Sequence, residues 1–120
     1  MFLAMLITIA ETPMYLSQAS KLLSEIERND VVDLISQNPT AGVVISGSSG
    51  LRKLRIGLSG RGKRGGGRVI YWFHSTGFPA VLLWVLAKNA ASDLTPDQTK
   101  RLRVYAGAIL ENYGEHNARR

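Results

Sequence analysis

The residues with the clearest chemical potential in this chain are cations. Seven lysines and arginines crowd into residues 52–68: Arg52, Lys53, Arg55, Arg61, Lys63, Arg64 and Arg68. Residues 34–92 hold eight bases and no Asp or Glu. A cation cluster without counter-ions repels itself, a cost that folding alone does not require. It suits a polyanion, most simply a nucleic acid whose phosphates the Lys and Arg side chains neutralise. The plainer alternative, a solvated basic loop that aids solubility, stays open at this point. Aromatic residues follow directly in the chain. Tyr71 can stack on a base or donate a proton, although its alternation with Val69 and Phe73 suits a core position slightly better. Trp72 shares a face with Arg68 and Ile70 and can act as a stacking platform. His74 has the ring chemistry for acid–base work, but a half-exposed structural role fits a strand end better.

The rest of the composition removes other chemistries. With 120 residues the chain is expected to be one domain over 1–120, its core at about 8–113 and residues 114–120 a flexible tail. At 45% hydrophobic and 20% charged residues it can bury a real core. Cysteine is absent, which removes disulfides, thiolate metal sites and a cysteine nucleophile. His74 and His116 lie far apart without metal-ligand spacing around them, so no metal or other cofactor is expected. No apolar run reaches the roughly 18–20 residues of a membrane-spanning helix. Residues 1–10 are apolar but lack a basic leader, so a secretory signal is not expected and a cytoplasmic protein is. Net charge is +6 and unevenly placed: the first 33 residues carry five acids and two bases, the last 28 five bases and four acids.

Several elements must position the cations. Residues 2–10 end in β-branched side chains and read as a first strand. Thr12 and Pro13 open a helix as N-cap and first residue, with Tyr15, Leu16, Ala19, Leu22 and Leu23 at core-facing spacing. Ser24 and Glu27 match a capping box for a second helix. That helix buries Ile26, Val31, Leu34 and Ile35, and Asn38-Pro39 ends it. Residues 40–50 are irregular and rich in Gly and Ser. Residues 51–58 alternate, with Leu54, Ile56 and Leu58 on one face and Lys53 and Arg55 on the other. Residues 59–67 are too Gly-rich to pack and read as a flexible basic loop. Residues 68–74 read as a strand, and residues 80–87, apolar throughout, as a central strand covered on both faces. Thr95, Pro96 and Gln98 start a last helix reaching about Tyr113. The expected fold is α+β in the order β-α-α-β-β-β-α, a helical hairpin on a mostly antiparallel four-stranded sheet.

In this order the sequence resembles the RelE/HigB toxins of bacterial toxin–antitoxin pairs. The likeness is carried by Leu51-Arg-Lys-Leu-Arg55, Gly62-Lys-Arg-Gly-Gly66, Arg68-Val-Ile-Tyr71, Ala87-Lys-Asn89 and Asp93-Leu-Thr95. Glu11-Thr12-Pro13, Asn38-Pro39 and the Ser46–Gly50 run are similar to the HigB branch. The resemblance implies a small RelE-like fold that cleaves messenger RNA, usually on the translating ribosome, and is inhibited by a cognate antitoxin that is itself a DNA-binding protein. It also implies that the catalytic surface falls on Lys53 and Arg55, on Arg68 and on Lys88, with Arg52, Arg61, Lys63, Arg64, Tyr71 and Trp72 contacting RNA. The chain departs from the best-known RelE members at Asn89, where they carry arginine, and at Thr95, where they carry tyrosine. The loop Arg61-Gly-Lys63-Arg64 is the candidate source of the missing charge.

Metal-free RNA cleavage uses the ribose 2′-hydroxyl as nucleophile on the adjacent phosphate. It needs a base, cations for the charged phosphorane and an acid for the leaving oxygen. Arg55 and Arg68 suit the phosphate charge, because guanidinium stays protonated and binds oxygens bidentately. Lys53 and Lys63, each among arginines, are the proton-transfer candidates. Two other classes remain: a non-catalytic toxin similar to the ParE branch that binds DNA gyrase, and a nucleic-acid-binding module that holds phosphates without cutting.

Overall fold

The computed structural model describes residues 7–58, 62–87 and 94–118, with side chains at 7–57, 66–87 and 94–112. Its elements are β1 (Ile9–Glu11), α1 (Pro13–Leu22), α2 (Glu25–Gln37), β2 (Val43–Val44), β3 (Leu51–Leu58), β4 (Gly62–Trp72), β5 (Ala80–Ala87) and α3 (Pro96–Ala118). The sheet has five strands in the order β1-β5-β4-β3-β2. β1 runs parallel to β5, and the other pairs are antiparallel. The protein is therefore α+β with a mixed sheet, one strand larger than expected. The extra strand is β2, whose two residues pair with Lys53 and Arg52. Two residues carry no readable periodicity. Because β2 stops there, the outer edge of β3 beyond Lys53 has no strand beside it among the described residues.

Both faces of the sheet are covered. On one face Tyr15, Ala19 and Leu23 of the α1 region and Val31 and Ile35 of α2 pack against Leu54, Val69, Tyr71, Leu82 and Val85. On the other, Leu102 and Ala106 of α3 pack against Leu51, Ile70, Val81 and Leu83. Strand alternation divides the two sets. A bulge modifies it in β5: Ile70 pairs with Trp84 and Tyr71 with Leu82, so Leu83 is the extra residue and joins Trp84 on the α3 side.

Local chemistry explains the helix boundaries. Thr12 accepts from the Tyr15 N–H at 3.1 Å and donates to the Leu82 carbonyl at 2.8 Å, capping α1 and fastening it to β5. Ser24 and Glu27 form the capping box of α2, with bonds of 3.1 and 2.8 Å. Thr95 and Gln98 do the same for α3. Arg28 of α2 pairs with Glu11 of β1 at 3.6 Å.

Three expectations need correction. Ile26 and Leu34 do not lie in the core: they are 73% and 44% exposed. Ile26 is five residues from Val31, which is about 140° around a helix, so it turns away when Val31 faces the sheet. Residues 62–67 are not loop: they extend β4, with Gly67 opposite Ile56, a register shift after Ile56, and Gly62 opposite Leu58. Glycine lacks strand propensity, yet its backbone pairs once a hairpin brings it beside a partner. Finally, α3 runs to Ala118 rather than ending near Tyr113. Among the described residues no helix is long and apolar enough to cross a membrane.

Candidate functional site

The pairing of β3 with β4 decides where the cations meet. Arg55 lies directly opposite Arg68, and Lys53 lies opposite Ile70. Residues paired this way share a face, so Lys53, Arg55 and Arg68 stand together on the α3 side of the sheet, Lys53 diagonal to Arg68. Like charges placed opposite one another destabilise a sheet. No ion pair joins Arg55 or Arg68 to a carboxylate among the described residues. Arg55 is exposed, and Lys53 and Arg68 are half-buried. The Nε of Arg68 is shielded from water and has no hydrogen-bond acceptor among the described residues. Arg28 and Arg52 share this state at Nε, so the groups of Arg68 open to a ligand are its terminal nitrogens. A phosphate oxygen is the acceptor best matched to a guanidinium.

Other residues singled out in the sequence are placed elsewhere. Tyr71 is fully buried on the opposite, hairpin face. Its hydroxyl donates to the Pro39 carbonyl and accepts from the Gly42 N–H, both at 2.8 Å. Burial pushes this hydroxyl above the usual tyrosine range, against the Gly42 bond and the Arg52 charge, which pull it down. A Cβ on residue 42 would lie 2.8 Å from Tyr71 Cε1, so only glycine allows this approach. Arg52 belongs to the same face, where it donates to the Gly42 carbonyl at 2.8 Å. Tyr71 and Arg52 therefore clamp the loop between α2 and β2 and lie away from Lys53, Arg55 and Arg68.

Trp72 is on the α3 side but half-buried against its cluster. Its indole N–H donates to the Ser49 carbonyl at 3.2 Å. Its ring stacks on His74 with centroids 5.9 Å apart, and His74 meets Phe78 edge-on at 6.3 Å. This aromatic ladder braces the β4–β5 turn, and His74 lies about 20 Å along the strand from Arg68. Lys88 and Arg61 lie outside the described residues, as do the side chains of Lys63 and Arg64.

The structure adds cations that sequence reasoning did not single out. A cleft of 610 Å³ opens between β2 and the first turns of α3, and Lys53, Lys100 and Arg103 line it together. Lys100 and Arg103, three residues apart, share one flank of the helix beside the buried stripe of Leu102 and Ala106. Their helical spacing was visible in the sequence. Their place beside Lys53 depends on how α3 crosses the sheet. No group of three His, Asp or Glu residues that could hold a metal ion occurs among the described residues.

No protein-family model matches the chain. Two guanidiniums opposed across a strand pair, with a lysine on their diagonal, can grip a phosphate from two sides and leave an amine beside it. The sheet beneath is packed on both faces, which fixes the backbone positions from which these side chains project.

Proposed function

We propose that this chain is the toxin of a toxin–antitoxin pair, a metal-independent, ribosome-dependent mRNA endoribonuclease of the RelE/HigB type. The observation that carries the reading is the opposition of Arg55 and Arg68 with Lys53 on their diagonal. The α+β frame is compatible with that family's small fold. Arg55 and Arg68 bind the non-bridging oxygens of the scissile phosphate and stabilise the charge that grows on them in the phosphorane. The ribose 2′-oxygen forms a bond to phosphorus as the bond from phosphorus to the 5′-oxygen breaks. The 2′-hydroxyl proton leaves to a base, and the 5′-oxygen receives one from an acid. Lys53 is the proton carrier on this face, since guanidiniums hold their protons too tightly for that role. An antitoxin with an acidic segment would inhibit by covering the same cations.

Induction in cells followed by primer-extension mapping of transcripts tests the reading. Expected are new 5′ ends in register with codons, absent when Lys53→Ala, Arg55→Ala and Arg68→Ala are combined. Gyrase-linked DNA damage without transcript cleavage would replace this reading with a ParE-like one. Growth arrest with neither would leave a binding module.

A further inference from the structure

We infer that the cleft between β2 and α3 is a nucleotide subsite, holding an RNA residue that flanks the scissile phosphate. The inference rests on the RNA reading above and extends it to residues outside the opposed arginines. The cleft measures 610 Å³, within the roughly 300–1,000 Å³ of ligand pockets. Its wall combines two chemistries. Lys53, Lys100 and Arg103 supply positive charge, and among the described residues no carboxylate lines it. Val43, Val44 and Leu94 supply an apolar surface, with Val43 71% and Val44 52% exposed although both are large and hydrophobic. A lone phosphate would need only the cations, and an apolar partner only the valines. A nucleotide needs both, because it carries an anionic phosphate and a flat base that gains by leaving water.

Continuity supports the assignment. Lys53 belongs to both places: it lines the cleft and shares a sheet face with Arg55 and Arg68. Five cations thus form one path, from Arg55 and Arg68 through Lys53 to Lys100 and Arg103. A single strand with its backbone on that path would place the phosphate next to the scissile one over the helix flank. The attached base would fall against β2. Lys100 and Arg103 are not what holds α3 to the sheet, since its packing is made by Leu102 and Ala106.

The test uses the full chain and a fluorescent, uncleavable 2′-O-methyl oligoribonucleotide, with binding read by anisotropy over a range of salt. Each phosphate contact contributes about 0.7 to the log–log salt slope of single strands, so Lys100→Ala/Arg103→Ala should flatten the slope by about 1.4. Affinity at low salt should fall about tenfold. Thr99→Trp, which fills the cleft while leaving its cations, should weaken the normal oligomer but not an abasic oligomer of equal length. Circular dichroism and melting confirm that each variant is folded. If both cleft variants bind like the native chain while Lys53→Ala/Arg55→Ala/Arg68→Ala loses binding, the RNA reading stands and the cleft assignment falls. If the triple variant also binds normally, both fall. Equal loss of normal and abasic oligomers in Thr99→Trp would overturn the base-binding half of the inference.

Discussion

Replacing Tyr71 with phenylalanine separates a structural tyrosine from an RNA-contacting one. The substitution keeps the buried ring and deletes only the hydroxyl. Two hydrogen bonds of 2.8 Å disappear, one to the Pro39 carbonyl and one from the Gly42 N–H. A typical intramolecular hydrogen bond contributes about 0.5–1.5 kcal/mol net, so the pair accounts for roughly 1–3 kcal/mol. The upper half of that range is expected here, because Gly42 is buried and its N–H would be left without an acceptor. For a chain of this size about 4 °C of melting temperature accompanies each kcal/mol, giving a fall of roughly 4–12 °C. Below the lowered transition, growth inhibition and RNA binding should be unchanged, since Tyr71 and the opposed arginines occupy opposite faces. Thermal and urea denaturation of both proteins, with anisotropy on the uncleavable oligomer, provide the measurement. A Tyr71→Phe protein that melts like the native one but binds RNA poorly would refute the assignment of Tyr71 to the clamp.

Three further substitutions probe other parts of the fold. Ser24→Ala removes the side chain that caps α2 and should cost about 1 kcal/mol by urea denaturation, with no change in RNA binding. Gly50→Ala should destabilise by at least about 1 kcal/mol in the same assay. Residue 50 has φ +117°, and a Cβ there would lie 2.7 Å from Trp72 Nε1. Burial, reinforced by Glu11 and opposed by Arg28, pushes the Tyr15 hydroxyl up to about 12. Its proton is kept in the folded chain at pH values where the unfolded chain, with the ordinary value of 10.0, has lost it. Stability from this group is therefore complete below pH 10.0 and lost as pH rises through about 12. Tyr15→Phe should flatten that decline in denaturation midpoints against pH. At neutral pH it should cost little, because the Tyr15 hydroxyl has no hydrogen-bond partner.

Helix starts were the most legible features of the chain. Thr12-Pro13, Ser24 with Glu27, and Thr95-Pro96 with Gln98 are local signals whose bonds close within one turn, and all three appear in the structure. The apolar run at 80–87 was equally direct, since only a strand between two others and under two helical layers needs no polar face. The exposure of Ile26 is not legible from apolar content, because it depends on the angle at which α2 meets the sheet. The strand at residues 62–67 is not legible from composition, which describes what side chains contribute, because this part of β4 is held by backbone pairing. At the site, strand alternation alone put Lys53 and Arg55 on one face. Their meeting with Arg68 required the β3–β4 register, which no single segment encodes. The place of Lys100 and Arg103 is hidden for the same reason, since their neighbour Lys53 is far away in the chain.

The parallel pairing of β1 with β5 also sets a timetable. Ile9 is matched with Ala80, and the Thr12 hydroxyl bonds to the Leu82 carbonyl across 70 residues. At synthesis rates of about 5–20 residues per second, roughly 4–14 s pass between making one partner and making the other. Through that interval Tyr15 and Ala19 have no β5 surface to bury against, and the first strand has no neighbour. The opposed arginines pair earlier, when β3 and β4 form their hairpin, but their supporting layer comes last with α3. A nascent chain is thus charged well before it is braced, and the finished grip exists only once α3 has been made.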